Sequence, residues 1–196
     1  AQAAEVLLGF AASRGDTTFL RSAHSGAGLS DRLLVLYSRA HMALGDTTAA
    51  VSCSRAALSY PSANQSAWEH ALGLAGITGG NYDSLYSLSR ARFGFSIGIA
   101  LARLRAGMAA PVADDREILH RCLLLNPEDT GVLETAALWH LAADEPDSAM
   151  GFALRAMASQ TVPTPGSISL AVRAARAAGR EDIAGSCLRY ARSLRP

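Results

Sequence analysis

Lysine is missing from this sequence of 196 residues, and all eighteen of its positive charges are arginine. That usage is expected of a GC-rich bacterial genome and is no chemical requirement. Aromatic residues are scarce at 6%, and runs of Val, Ile, Tyr and Thr are absent, which excludes a sheet-built core. No apolar run approaches the ~18 residues of a membrane-spanning helix. The longest, Phe93 to Ala102, is bracketed by Arg92 and Arg103. The cysteines Cys53, Cys122 and Cys187 are odd in number and form no CxxC or other ligand spacing, so neither a disulfide framework nor a metal site is expected. Cys53 and Cys187 read instead as small core residues on an apolar stripe. The five histidines, His24, His41, His70, His120 and His140, show no i, i+4 pair and no HExxH. With no phosphate loop and no dinucleotide fingerprint either, no cofactor is expected.

What the chain does have is alanine, 39 residues of it. Alanine has the best intrinsic helix propensity, and small side chains let helices approach closely. Hydrophobic residues at 49% against charged residues at 18% provide for a buried core and exclude disorder. The expected class is all-α, in one domain spanning 1–196. Charge is unevenly spread. Residues 84–109 carry four arginines and no acid, residues 110–150 carry nine acids and two arginines, and residues 151–196 carry seven arginines and two acids. Alternating blocks of this kind suit pairing with a protein partner or between copies of the chain. Arg90, Arg92, Arg103 and Arg105 lack both a general basic surplus and interleaved stacking aromatics, so nucleic acid is not the expected partner.

Helix stops recur along the chain. Gly15-Asp16-Thr17-Thr18 returns as Gly45-Asp46-Thr47-Thr48. Gly80-Asn81-Tyr82-Asp83, Ala109-Ala110-Pro111, Asp144-Glu145-Pro146 and Gly179-Arg180 follow, at spacings of 30, 35, about 30, about 34 and 35 residues. Glycine supplies the left-handed residue that ends one helix, and the polar residue after it caps the next. Each stop lies between two apolar-periodic stretches, such as Leu33 to Leu44 before one and Ile183-Cys187-Leu188-Ala191-Leu194 after another. Self-similarity at this period predicts a helical solenoid, with approximate units 1–28, 29–61, 65–93, 95–127, 129–162 and 166–196.

The repeats resemble the tetratricopeptide repeat family. Trp68, Leu72-Gly73 and Gly80-Asn81-Tyr82-Asp83 match one unit's first helix and turn. Ala50 and Ala57, Ala149 and Ala156, and Ala184 and Ala191 fill the small positions of second helices. Leu123-Leu124-Leu125-Asn126-Pro127 and Leu194-Arg195-Pro196 match the closing pattern. The resemblance implies a right-handed α-solenoid of about five to six antiparallel helix pairs, acting as a non-catalytic protein-interaction module. A partner segment would lie in the concave groove lined by the first helices. Carried over unit by unit, the partner-binding stripe falls on Arg32, Arg39, His70, Leu74, Leu104, Leu138, Arg173 and Arg176. A groove apolar in the middle and basic at both ends would suit a segment with acidic flanks. The expected role is an adaptor or accessory subunit of a bacterial multiprotein complex. Its alternatives are a structural subunit of a larger membrane-associated enzyme or secretion complex, and a self-assembling scaffold.

One catalytic pattern competes with this. Gly94-Phe95-Ser96-Ile97-Gly98 fits the G-x-S-x-G elbow, and Asp114 then His120 or His140 follow in hydrolase order. The elbow needs an apolar strand before the serine, whereas Ser87 to Arg92 is polar and basic. A hydrolase using Ser96 is therefore the least favoured alternative. Asp114, Asp115 and Glu117 read as the acidic first turn of a helix. His41 and His140 share one place late in a first helix and are expected to pack there. The start at Ala1-Gln2-Ala3, without Met, is either a mature end left by signal-peptide removal or simply the boundary of this sequence; the first reading is preferred, and with it the periplasm or cell envelope over the bacterial cytoplasm.

Overall fold

One turn is built four times. In a computed structural model that describes residues 30–194, the N–H of Asp46 donates to the carbonyl of His41 at 2.9 Å. Gly80 donates in the same way to Ala75 at 2.7 Å, Glu145 to His140 at 2.8 Å and Arg180 to Ala175 at 2.8 Å. The residue before each donor has positive φ: Gly45 (76°), Gly79 (68°), Asp144 (58°) and Gly179 (70°). This six-to-one bond across a left-handed residue satisfies carbonyls that a helix end leaves open. The left-handed glycine of the second turn is Gly79, not Gly80, so that stop lies 34 residues after Gly45. Gly15-Asp16-Thr17-Thr18, His24 and unit 1–28 lie outside the described residues.

Ten helices follow among the described residues: α1 (Asp31–Ala43), α2 (Thr47–Leu58), α3 (Gln65–Thr78), α4 (Tyr82–Phe93), α5 (Ile97–Ala106), α6 (Ala113–Leu125), α7 (Thr130–Ala142), α8 (Pro146–Ala158), α9 (Pro165–Ala177) and α10 (Glu181–Ser193). Their starts are chemically marked. The side chains of Ser30, Asp46, Asn64, Asn81, Asp129 and Thr164 each accept from the backbone N–H three residues on, at 2.9–3.3 Å. In α6 the first-turn Asp115 accepts from the Val112 N–H at 3.0 Å, as the acidic cluster there suggested. Pro61 and Pro127 stand just beyond the ends of α2 and α6.

The chain divides into two compact units between Ala106 and Gly107. Helix α5 thus belongs to the first and α6 to the second. In the first unit α1 packs on α2, both touch α3, and α3 also holds α4 and α5. In the second, α7 packs on α6, α8 and α9, and α9 packs in turn on α8 and α10. The protein is all-helical in its described part, and within each unit chain neighbours pack on one another.

Small residues occupy the contacts, as the repeat alignment predicts. Ala50, Ala57, Ala149, Ala156 and Ala184 have no exposed surface, and Ala191 packs against the core of the second unit. The closest approach is in the first unit. A Cβ built on Gly76 of α3 would lie 2.5 Å from the Cα of Ala106 in α5. Gly76→Ala is expected to force these helices apart and to cost about 1–3 kcal/mol, outweighing the gain in helix propensity of about 1 kcal/mol. Urea denaturation checks this, and a raised midpoint would refute the contact. At Asp144 the sign reverses. Asp144→Gly relieves a left-handed non-glycine residue and should stabilise by about 0.5–1 kcal/mol in the same assay.

Candidate functional site

The eight residues expected to bind a partner fall into three groups: four arginines, three leucines and His70. Arg32 and Arg39, seven residues apart on α1, are exposed, as are Arg173 and Arg176 on α9. Arg176 pairs with Glu181 at 3.6 Å, while Arg32, Arg39 and Arg173 meet no carboxylate among the described residues. The aliphatic members are covered. Leu104 has no exposed surface and so presents no side chain to a partner, Leu74 is 4% exposed at the floor of a cleft between helices, and Leu138 is half-buried against the core of the second unit. The correction has a simple cause. Both sides of α3 and α5 are apolar, and packing on neighbouring helices takes the side that the repeat pattern assigned to the partner.

His70, on α3, is half-buried and engaged. Its Nε2 lies 2.8 Å from the hydroxyl of Ser38 on α1, and that hydroxyl donates to the carbonyl of Ala50 on α2 at 2.7 Å. With its proton given to Ala50, the serine accepts from His70, which fixes the neutral Nε2–H tautomer. A serine and a histidine in contact suggest a nucleophile and its base, but here the proton points the wrong way and Ser38 is fully buried. The pair ties three helices together. Burial, with Arg39 adding to it, pushes the His70 imidazole down to about 4.

The matched histidines carry matched carboxylates. His41 Nδ1 lies 3.6 Å from Asp46, and His140 Nδ1 lies 2.6 Å from Glu145, in each case at the residue that opens the following helix. His140 stacks on Phe152 with 5.2 Å between ring centres, and Arg116 also binds Glu145. The His140 hydrogen bond, then Arg116, hold the Glu145 carboxyl below its usual range. Both histidines are thus packed residues of the turn.

Much of the basic stretch is spent internally. Arg103 is buried, bound to Asp83 at 2.7 Å and set over the Tyr82 ring at 4.6 Å. Arg92 reaches back to the carbonyl of Pro61, and Arg155 makes the equivalent bond to Pro127 at 2.8 Å. An arginine near the end of one second helix therefore secures the proline that closes the second helix before it. The signal was in the sequence, in the 31- and 28-residue offsets, but only contact reveals it. Ser96 lies between Gly94, which ends α4 with φ 71°, and α5, whose Ala100 N–H donates to the Ser96 carbonyl at 2.9 Å. It sits at a helix-to-helix turn, and the described residues include no strand. Cys53, Cys122 and Cys187 are buried, and burial pushes all three thiols up, Cys122 to about 11. Thiol reagents should label them only in denaturant; labelling of native protein within minutes would contradict this burial.

In the first unit a cleft of about 240 Å³, lined mainly by apolar side chains, opens between α2 and α4 and is floored by α3. In the second unit an open hollow between α8 and α10 carries Glu181, Asp182 and Arg189. The described residues hold no helix long and apolar enough to cross a membrane. Nor do they hold three His, Cys, Asp or Glu side chains grouped to take a metal ion. The molecule belongs by architecture to the all-helical proteins built from successively packed helices. Comparison with protein-family models, curated proteins and solved structures finds no match.

Proposed function

We propose that the protein is a non-catalytic interaction module, a tetratricopeptide-like solenoid that binds an acidic segment of a partner protein through its first helices. It would serve as an adaptor or accessory subunit of a larger complex. The fourfold turn, the helix pairs it joins and the buried alanines of the second helices support the repeat architecture.

The observation that carries the binding role is the pair of arginines left exposed on each of two first helices, Arg32 and Arg39 on α1 and Arg173 and Arg176 on α9. Positions seven apart, or three apart, lie on one helix face. An arginine fork pairs with carboxylates, and exposed charges of one sign speed association more than they add affinity. Of the leucines expected between them, Leu104 is fully covered, Leu74 nearly so and Leu138 half-buried, so recognition rests on charge more than the sequence implied.

The test is charge reversal. Arg39→Glu and Arg173→Glu should keep the helical content and melting of the parent protein and lose the partner recovered with it from the native host. Recovery by the parent should fall steeply between 50 and 500 mM salt, because the Debye length shrinks about threefold over that range. Equal recovery by the parent and both variants at all salt concentrations would reject the proposal.

A further inference from the structure

We infer that the cleft between α2 and α4 is a binding site for a medium-chain aliphatic carboxylate. The two helices pack on α3 and not on one another, which leaves the cleft between them. Its walls are aliphatic: Val51 and Leu58 from α2, Leu74 from the floor, and Leu85 and Leu88 from α4. Leu88 stands 58% exposed at the mouth, apolar surface that a bound chain would cover. At about 30 Å³ for each group of water or methylene size, the 240 Å³ hold about eight such groups.

The polar lining narrows the ligand further. Thr78 donates to the Leu74 carbonyl at 2.9 Å and Asn81 accepts from the Ser84 N–H at 3.0 Å, so both are engaged by their own helices. Arg55 is the single charged side chain of the lining, it is exposed, and no carboxylate among the described residues meets it. An exposed arginine in the lining of a mainly aliphatic trough complements one ligand chemistry, a hydrocarbon chain ending in a carboxylate. The repeat does not impose this lining. The corresponding hollow between α8 and α10 holds two acids, and its Arg189 is bound to Ser186 at 2.9 Å.

Decanoate below its micellar concentration is the probe, followed by methyl NMR of the full chain labelled at Leu and Val. Saturable shifts are expected at Val51, Leu58, Leu74, Leu85 and Leu88 and not at leucines of the second unit. Affinity should rise about fourfold per methylene from hexanoate to octanoate and level off beyond about ten carbons, where the cleft is full. Arg55→Gln, an exposed substitution that leaves the fold intact, should weaken decanoate about tenfold or more and leave decanol unchanged. Leu88→Glu should abolish both. Absence of saturable shifts, shifts spread over both units, or equal loss of decanoate and decanol in Arg55→Gln would each overturn the assignment. A cleft that refuses decanoate but is filled by a helix of a protein partner would overturn it too.

Discussion

Leu104→Ala is expected to lower stability by about 2–5 kcal/mol, one of the largest effects of any single truncation in the first unit. The side chain has no exposed surface and lies in α5, where Ile99 is equally covered. Removing it forfeits the transfer of several methyl and methylene groups and leaves a cavity that close-packed helices fill poorly. Because the first unit is held by contacts between neighbouring helices, hydrogen exchange should quicken there first. Any loss of partner binding would follow the loss of folding, since no surface of Leu104 is left to touch a partner. An unchanged denaturation midpoint would show that the side chain is not buried.

Acid is expected to weaken the protein through His70. The imidazole is held near 4 in the folded state against 6.5 in the unfolded chain. Between those values the unfolded state binds the extra proton, so stability is full above about pH 6.5 and falls as pH drops towards 4. A shift of this size bounds the effect at about 3 kcal/mol at 1.36 kcal/mol per unit, and the half-buried ring retains some solvent, which lowers it. Carboxylates titrate in the same range, so the readout is a difference. His70→Gln keeps an N–H donor for Ser38 and cannot be charged, and should therefore lose less stability than the parent between pH 6.5 and 4. Identical pH profiles for the two proteins would mean that His70 is protonated without cost.

Turn chemistry was the most legible part of the sequence, because a left-handed helix end admits few residues. Gly45 and Gly179 announce themselves, and Asp144 is marked by the acidic residue and proline that follow it. Between Gly79 and Gly80 composition is silent, and only the bond to Ala75 decides. The small positions were legible too, since two helices approach closely only where side chains are short. Leu74 and Leu104 were misplaced for a different reason. Periodicity shows that a helix has an apolar side, but α3 touches four other helices, and those contacts cover nearly all of Leu74. The tie from His70 to Ser38, the buried Arg103 and the arginine bonds to Pro61 and Pro127 all join residues 20 to 32 apart. No local pattern encodes such pairs. They depend on which helices meet.

Photo-crosslinking tests the central claim, that the first helices carry the partner-binding face, most directly. A photoreactive amino acid would be placed in the native host at Arg39 or Arg173, and at Ser52 and Ser148 as exposed positions on the second helices α2 and α8. The account predicts one common adduct from positions 39 and 173, suppressed by salt, and none from 52 or 148. Adducts of equal yield from the second-helix positions, or none from positions 39 and 173, would contradict it.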